Sequence, residues 1–453
     1  MIRLSRITIE NFKNVQYGQI DLSAEEGRPS ILGLYGQNGS GKTSLIEAVE
    51  LLKALLSGRA MLPAYADYIH VDSPYACVVY EFTITDDGVT DKVSYEVCFS
   101  QVRESGEQNP GVDVFKETIS VALGKADGSF SRYSCWIDTS SEIQPFGPAG
   151  RASRLLGKNK ALKTEIEYKM QFARFRGLSS VFCDDFQRVL ELRKDLAPGE
   201  DEAPENRVVR LIRRLSLFGK QGLFVISKAE IGEISLPSGV IIPMDKSVTL
   251  PLSREPQLER VIENMNLVLQ EIVPGLSIGY RVLGRELMAD TEEGLTLQLI
   301  SEKNEKAIPL KYESQGIKKI ISVLHLLIRV YNQDSITVAI DELDAGIFEY
   351  LLGELLRILS DKGRGQLIFT SHNLRPLETI NKEFVAFTTT NPMQRYLRMS
   401  GVKSAANLRD FYYRDLQLGG QKENLYEPTN NYDIALAFRQ AGENSLSAKP
   451  SGD

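Results

Sequence analysis

The sequence predicts an α/β fold with an antiparallel β subdomain and an inserted, mostly helical region, and three observations support this prediction. At residues 30–56, a short apolar run, a glycine-rich turn and a helical apolar pattern follow one another. At residues 76–137, four segments rich in β-branched and aromatic residues alternate with Asp-Gly turns. At residues 317–373, a long apolar helix precedes two apolar strands that end in polar residues.

Length and composition limit the class of protein. The 453 residues are 42% hydrophobic, which supports a sizeable core and more than one domain. The formal charge of −7 argues against a generally basic nucleic-acid coat. The N-terminus lacks a signal-peptide core, and no apolar run approaches the roughly 20 residues that span a bilayer. We therefore expect a soluble, cytoplasmic protein without a membrane partner.

The cysteines and histidines give little support to a metal site. The chain has only three histidines, and its four cysteines are far apart without a C-x-x-C pair. This spacing predicts reduced thiols and disfavours zinc. The cysteines are Cys77, Cys98, Cys135 and Cys183.

Residues 2–22 open the chain with two strand-like segments, Ile2–Ile9 and Tyr17–Leu22. We expect both to extend the antiparallel sheet that residues 76–137 form, because all these segments share the strand composition. No residue of the segments at 76–137 carries recognisable chemistry.

The segment Gly36-Gln37-Asn38-Gly39-Ser40-Gly41-Lys42-Thr43 reads G-x-x-x-x-G-K-T between a strand and a helix, the setting of a phosphate-binding loop. Glycines allow backbone N–H groups to curl around a polyphosphate without a Cβ in the way. Lys42 supplies a mobile charge for the β- and γ-phosphates, and the Thr43 hydroxyl is a hard oxygen ligand for Mg²⁺. The predicted phosphate contacts are Gly36, Asn38, Gly39, Gly41, Lys42, Thr43 and Ser44.

Residues 150–220 are predicted to be mostly helical and contain two basic segments. The first, residues 151–176, holds Arg151, Arg154, Lys158, Lys160, Lys163, Lys169, Arg174 and Arg176 against two acids. The second consists of Arg207, Arg210, Arg213 and Arg214 on one helical face. A surface for nucleic acid or an acidic partner is one interpretation, and a solvated helix face is the other. An amphipathic helix over Glu255–Ile272 and further strands follow.

The segment Glu313-Ser314-Gln315-Gly316 precedes a long apolar helix. A helix N-terminus with a serine hydroxyl and free N–H groups is an anion site, although an ordinary N-cap has the same composition.

Ser335–Glu342 is a mostly apolar strand that ends in two acids. Asp341 is predicted to hold Mg²⁺ through water, and Glu342 to polarise the attacking water as general base. Because neighbouring residues of a strand point to opposite faces, we expect the two acids to take different roles.

Gly365–Asn373 is a second apolar strand, and it ends in Thr370-Ser371-His372-Asn373. A lone histidine is usually structural, but the position of His372 after the strand that follows the acid pair favours a role at the site.

Together these motifs resemble those of the ABC-type ATPases of the SMC, RecF and OLD group. In that group two strands flank a turn like Asn11-Phe12-Lys13-Asn14 before the phosphate-binding loop. A signature spelled S-x-G opens a long helix, as Ser314 and Gly316 do, and Leu343-Asp344-Ala345-Gly346 resembles its D-loop.

The resemblance implies an ABC-type P-loop ATPase head that binds ATP and Mg²⁺ and works as a homo-oligomer. Ser314 and Gly316 would reach the γ-phosphate of ATP on a second copy, and Asp344 would contact that copy. His372 would hydrogen-bond the γ-phosphate and report hydrolysis. Lys13 and Asn14 would be secondary nucleotide contacts, with an exposed turn as the alternative.

Three features depart from the pattern. The transporter spelling L-S-G-G-Q is absent, and Phe348 and Glu349 stand where many relatives carry His-Pro. The glutamine of the Q-loop is not identified, since Gln101, Gln171 and Gln187 all remain candidates.

The predicted organisation has five parts, which are an N-terminal ATPase lobe (1–75), the antiparallel β subdomain (76–140), a helical and mixed insertion (141–305), a C-terminal ATPase lobe with the signature, acid pair and switch histidine (306–442), and a disordered tail (443–453).

The resemblance predicts an ATP-hydrolysing switch subunit of a bacterial anti-phage defence complex, as in OLD-like ATPases. Such heads often carry a nuclease domain, and the segment after His372 is too short for one, so we expect a separate effector protein. The alternative is a RecF-type repair ATPase that binds DNA through the basic segments. An ATP-gated scaffold with little turnover is a further alternative, and the altered signature disfavours a transporter.

Overall fold

The computed structural model describes residues 1–22, 30–102, 111–140, 147–156, 160–191, 203–227, 232–236, 240–288, 292–303, 306–399 and 407–447. The strands in chain order are β1 Ile2–Phe12, β2 Val15–Asp21, β3 Ser30–Tyr35, β4 Tyr75–Asp86, β5 Val89–Val102, β6 Gly111–Ala122, β7 Ser134–Asp138, β8 Leu223–Ile226, β9 Glu233–Ser235, β10 Ile241–Pro243, β11 Val248–Pro251, β12 Leu276–Leu287, β13 Glu293–Lys303, β14 Lys306–Pro309, β15 Thr337–Ile340, β16 Gln366–Thr370, β17 Val385–Thr388 and β18 Tyr396–Leu397.

The helices lie mainly after the first sheet. They are α1 Lys42–Leu56, α2 Ala149–Leu156, α3 Lys160–Phe175, α4 Asp184–Glu191, α5 Pro204–Gln221, α6 Glu255–Ile272, α7 Gln315–Asn332, α8 Glu349–Lys362, α9 Pro376–Thr379, α10 Leu408–Leu418 and α11 Asn431–Ser447. None in the described ranges is long and apolar enough to cross a membrane.

The first six-stranded sheet is antiparallel and has the order β2-β1-β4-β5-β6-β7. It joins the N-terminal strand pair to the later segments, which confirms that expectation. The turn between β4 and β5 is Asp87-Gly88, with φ of 46° and 80°. Two left-handed residues are what a tight hairpin turn requires, and Asp-Gly supplies them at low cost.

The second six-stranded sheet has the order β18-β17-β3-β16-β15-β8, and all its neighbouring strands except β18 and β17 run parallel. Its central strands are buried on both faces, as their continuous apolar runs predict. Strand β8 comes from the region that the sequence assigns to an insertion, and it pairs with β15. Residues 223–226 are therefore part of the parallel sheet.

Two hydrophobic cores enclose this parallel sheet. One joins the antiparallel sheet to α1 through α5, and Leu32 and Leu34 of β3 enter it. The other joins the opposite face to α6, α7 and α8, and Ile31 and Tyr35 of β3 enter it. The side chains of β3 thus alternate between the two cores, and the glycine-rich loop follows at the carboxyl end of this strand. The predicted amphipathic helix is α6, and the residues of its apolar stripe that are buried are Leu258, Ile262, Met265 and Leu269.

The prediction of four reduced thiols is wrong for two cysteines. Cys77 and Cys98 form a disulfide between β4 and β5, where they face each other directly in the strand register. Their separation of 21 residues does not reveal this pairing, because it depends on the hairpin register. Cys135 and Cys183 are free, as predicted.

Several cations of the basic segments are neutralised within the chain. Arg174 donates two hydrogen bonds to Asp113 at 2.7 and 2.9 Å. Arg207 donates two to Asp91 at 2.8 and 2.6 Å. Arg214, Lys169 and Arg213 also lie within 4.0 Å of carboxylates. Lys158 lies outside the described residues. The basic segments are therefore not simply solvated. Arg174, Arg207 and Arg214 lie against the antiparallel sheet, where they pair with acids of β6, β5 and β4.

The C-terminal residues differ from the predicted tail. Helix α11 continues to Ser447, past the predicted start of disorder at residue 443, and residues 448–453 lie outside the described residues. The described residues 431–442 of this helix are exposed, including the side chains of Tyr432 and Phe438.

Candidate nucleotide-binding site

A cavity of about 460 Å³ lies where the carboxyl ends of β3, β15 and β16 meet the N-terminus of α1. In open α/β sheets this edge is the usual place for a ligand. The residues that line the cavity are Lys13, Asn14, Asn38, Gly39, Gly41, Lys42, Thr43, Ser44, Glu47, Asp341, Glu342, Thr370 and His372.

The loop between β3 and α1 needs its glycines for two different reasons. At Gly36 a Cβ would lie 1.8 Å from the Thr388 hydroxyl oxygen, so the neighbouring strand leaves no room for a side chain. At Gly41, the residue before α1, φ is 91°, a left-handed conformation that glycine adopts readily. Together they form the curl that directs backbone N–H groups toward the cavity.

The Lys42 side chain is buried against the loop. Its Nζ donates to the carbonyl oxygens of Gly36 at 2.8 Å and Gln37 at 3.0 Å. Only 7% of the residue is exposed. The cation is thus held at the N-terminus of α1, where the helix dipole also favours an anion.

The donor set beside Lys42 fits Mg²⁺. The Thr43 hydroxyl lies 3.2 Å from Asp341 Oδ2, and the Thr370 hydroxyl donates to Asp341 Oδ1 at 2.6 Å. A hydroxyl and a carboxylate are hard oxygen ligands, and a site that also offers room for water and phosphate oxygens matches how proteins hold this ion. Thr43 and Asp341, predicted from segments about 300 residues apart, are neighbours here.

The expectation that Asp341 and Glu342 face opposite sides of a strand is wrong. Strand β15 ends at Ile340, so both acids follow the strand, and both line the cavity. Glu342 takes a left-handed φ of 47°, which is costly for a residue with a side chain. Its backbone N–H donates to the Thr370 hydroxyl at 2.7 Å, and this contact helps to hold the unusual conformation.

Lys13 and Asn14 form the opposite wall, together with Glu47 of α1. Lys13 Nζ lies 2.6 Å from Glu47 Oε2 and over the ring of Tyr68, 4.1 Å from its centroid. Asn14 Oδ1 accepts a hydrogen bond from Ser44 at 3.1 Å, and its amide donates to the Gly39 carbonyl. The turn is therefore attached to the phosphate-binding loop, and the Lys13 charge is balanced by a carboxylate.

His372 is exposed and lines the cavity from the end of β16. Its backbone position is set by Asp344, whose Oδ2 accepts from the N–H groups of His372 at 3.1 Å and Asn373 at 3.0 Å. Asp344 Oδ1 is buried and has no hydrogen-bond partner in the described part of the chain. In this chain Asp344 thus connects the segment after the acid pair to the segment that carries His372.

The structure does not bring every predicted residue into the cavity. Gly36 and Asp344 stand behind its wall, and Ser314 and Gly316 lie elsewhere, at the start of α7. The exposed Ser314 caps that helix, since its hydroxyl accepts from the Ile317 N–H at 3.3 Å. A Cβ on Gly316 would lie 2.4 Å from the Gly346 carbonyl oxygen, so the signature-like turn packs directly on the D-loop-like segment.

The three candidate Q-loop glutamines are also outside the cavity. Gln187 is buried and donates to the Val181 carbonyl at 2.9 Å, whereas Gln101 and Gln171 are exposed. None of the three is assigned to the nucleotide by its place in the fold.

Sequence reasoning missed Lys319, a buried lysine of α7. Only 1% of it is exposed, and its Nζ lies 3.5 Å from the Asp341 carbonyl oxygen. Burial lowers the pKa of Lys319, while the nearby carboxylates, Asp341 first, act in the opposite direction. The signal in the sequence is a lysine in the middle of an apolar helical face. It links the helix that starts at Ser314 to the acid pair.

Known ATPases are similar to parts of this chain. The family model of the AAA domain matches residues 6–169. Over 49 residues the chain is 47% identical to the DNA replication and repair protein RecF of Shewanella sp. (strain W3-18-1), and equally to that of Shewanella putrefaciens. The match covers 11% of this chain and only 12% of the relative's length.

Solved structures with a related outline share little sequence with the chain. The Smc head domain of Pyrococcus furiosus, bound to the C-terminal domain of ScpA, is 12% identical with a TM-score of 0.42, over 88% of this chain and 97% of that chain. The recombination mediator protein RecF-ATPrS is 13% identical with a TM-score of 0.38, over 87% and 97%. The AAA-domain match and the RecF segment support an ATPase.

Proposed function

We propose that the chain is an ABC-type ATPase that hydrolyses ATP with Mg²⁺ between two copies of itself and so switches a separate effector protein in anti-phage defence. The proposal of ATP hydrolysis rests on one observation, which is that five predicted residues line the same cavity. They are Lys42, Thr43, Asp341, Glu342 and His372. These residue types supply what phosphoryl transfer to water requires, which is a cation for the phosphates, a metal site, a base and a γ-phosphate contact.

Each side chain has a distinct task in this proposal. Lys42 and the loop N–H groups bind the β- and γ-phosphates, and Thr43 and Asp341 would hold Mg²⁺. Bound there, Mg²⁺ would neutralise the charge that develops on the phosphate oxygens. Glu342 accepts a proton from the attacking water. His372 donates to the γ-phosphate from a backbone position that Asp344 sets.

The signature-like turn supports a site shared between two copies. Ser314 and Gly316 lie outside the cavity, and the exposed hydroxyl of Ser314 is at the N-terminus of an 18-residue helix. A second copy that presents this end to the γ-phosphate would add N–H donors and a positive dipole end. ATP binding would then favour the closed pair, and hydrolysis would release it.

Lys42→Ala tests the nucleotide site. The variant should lose ATP binding and hydrolysis, while Lys246→Ala, at an exposed lysine outside the cavity, should keep both. Normal turnover in Lys42→Ala would refute the assignment.

Mixing two inactive variants tests the sharing of the site. If Ser314 acts across the pair, Lys42→Ala mixed with Ser314→Arg recovers activity, because one of the two sites in the mixed pair then has both wild-type residues. Lys42→Ala mixed with Glu342→Gln should recover none, since both changes lie on the same side of a site. Equal results for the two mixtures would contradict a shared site. Glu342→Gln alone should accumulate ATP-bound pairs in light scattering.

The defence role rests on a resemblance. A compact head of this type resembles AriA, the ATPase component of the PARIS anti-phage system, which holds a toxin subunit. A nuclease encoded beside the gene for this chain is the effector to test first, by co-purification with and without ATP. A stable complex in either condition supports the switch. Failure to bind in both conditions would remove the defence role and leave the ATPase untouched.

The alternative is a repair ATPase that binds DNA, and the 49-residue match to RecF favours it. Against it stand the internal ion pairs of Arg174 and Arg207, which leave fewer cations for phosphates. Fluorescence anisotropy with duplex DNA between 50 and 200 mM salt separates the two. A RecF-like protein should lose affinity steeply, by about 10³-fold for six phosphate contacts. Absence of a DNA signal at low salt would exclude this alternative.

A further inference from the structure

A second cavity, of about 650 Å³, lies between α6 and α7. It has no lining residue in common with the nucleotide cavity. Its apolar wall includes Val261, Met265 and Ile328, and its polar wall includes Gln257, His325 and Arg329. The volume is in the range of small-molecule sites, which combine apolar walls with a few polar groups.

Three buried polar atoms without hydrogen-bond partners in the described structure belong to residues of this one cavity. They are Gln257 Oε1, His325 Nδ1 and Arg329 Nη1. Buried polar groups are nearly always paired, so three exceptions on one set of walls need an explanation. The atoms are shielded from solvent, and the side chains that carry them already line the cavity. A ligand would therefore reach them by turning these side chains.

The hydrogen bonds of His325 define what its free nitrogen offers. His325 Nε2 accepts from the Ser235 N–H at 3.3 Å, so the ring proton is on Nδ1, and this atom is a donor. Only 6% of His325 is exposed.

Arg329 carries a charge that no carboxylate of the described residues balances. Its Nε donates to Gln333 Oε1 at 3.3 Å and its Nη2 to the Gln221 carbonyl at 3.1 Å, both neutral acceptors. Its guanidinium is stacked over Phe224, 4.4 Å from the ring centroid. Arg260 also lines the cavity, and no acidic residue does so in the described part of the chain. Two cations and a histidine donor, with no acidic residue among the described residues that line the cavity, form a site for an anion.

We propose that this cavity binds a small organic anion, a carboxylate or phosphate monoester with an apolar body. The anionic oxygens would accept from Arg329 and from His325 Nδ1, and the apolar body would pack on Val261, Met265 and Ile328. Gln257 would accept a hydrogen bond from a hydroxyl or amino group of a larger ligand. A bidentate contact with a guanidinium suits either anionic group.

The test uses the full chain with the Lys42→Ala change, which prevents phosphate compounds from binding in the nucleotide cavity. The result therefore does not depend on whether the ATPase proposal is correct. The probes are hexanoate and phenyl phosphate, with hexanol and inorganic phosphate as the matched neutral and purely ionic compounds. Calorimetric titration should give one site per chain for each probe, at least tenfold tighter than for either matched compound. Equal affinity for hexanol would overturn the anionic part, and equal affinity for inorganic phosphate would overturn the apolar part.

Two variants then locate the binding. Arg329→Gln should weaken both probes at least tenfold, whereas Arg285→Gln, at an exposed arginine of β12 outside the cavity, should leave them unchanged. Val261→Glu places a carboxylate on the apolar wall at a half-buried position, where it would repel an anion, so it should also abolish binding although Arg329 is unchanged. No binding of either probe, or the same binding in all three variants, refutes the site.

Discussion

Thr370→Val is the sharpest test of how the acid pair is held. The Thr370 hydroxyl, fully buried at the end of β16, donates to Asp341 Oδ1 at 2.6 Å and accepts from the Glu342 N–H at 2.7 Å. Valine has the same shape without the hydroxyl. The change removes a hydrogen bond to a carboxylate and leaves a partly buried N–H unpaired, which together cost about 3 kcal/mol. We expect Tm to fall by about 3 °C.

The effect on turnover should exceed the effect on binding. Without its anchor, Glu342 is free to leave the left-handed conformation, whose strain is about 1–2 kcal/mol. If this misplacement costs about 2 kcal/mol in the transition state, kcat falls about 30-fold. ATP affinity should change little, because Lys42 and the loop are intact. Thr370→Ser keeps the hydroxyl and should retain most activity. A Thr370→Val protein with wild-type kcat and Tm would refute this reasoning.

Three further predictions concern stability. Gly36→Ala should lower Tm more than Gly39→Ala, because a Cβ at Gly36 meets a buried hydroxyl at 1.8 Å while nothing lies within 4 Å at Gly39; equal losses would contradict this. Burial lowers the pKa of His325 in the folded chain to about 4. As the pH falls, the histidine of the unfolded chain is therefore protonated before that of the folded chain. The folded chain then loses about 3 kcal/mol of stability between pH 6.5 and pH 4. His325→Gln should flatten that part of a Tm-against-pH curve, and an unchanged curve would exclude the effect. Arg207→Gln strands the buried Asp91 carboxylate and should cost about 3 kcal/mol in thermal or urea unfolding, whereas no loss would favour a free surface arginine.

The sequence predicts best where the chemistry is local. The phosphate-binding loop is one continuous segment between a strand and a helix, and its spelling follows from what a polyphosphate requires. The strands β15 and β16 are recognisable because they are buried on both faces and end in polar residues. Their neighbour β8 is harder to predict, because it is only four residues long. Four apolar residues directly after a helix fit a strand of the parallel sheet, but they also fit the end of the helix or a buried loop.

The sequence predicts less where a residue depends on distant partners. Lys319 stands out in the sequence only as a lysine within a mostly apolar helix, and the fold alone puts Asp341 beside it. The Cys77–Cys98 bond depends on hairpin register. Glu342 was expected to continue a strand, and a hydrogen bond from its N–H to Thr370 accompanies the left-handed φ it adopts instead. Each case involves a contact between segments that composition and spacing do not connect.

The pairing of strand β3 affects how the protein folds during translation. Its hydrogen-bonded neighbours are β16 and β17, which are translated more than 300 residues later. At 5–20 residues per second the emerging strand waits roughly 17–70 s for a partner. The antiparallel sheet, complete by Asp138, has no such delay. The residues that line the nucleotide cavity are therefore all present only after His372 has been translated.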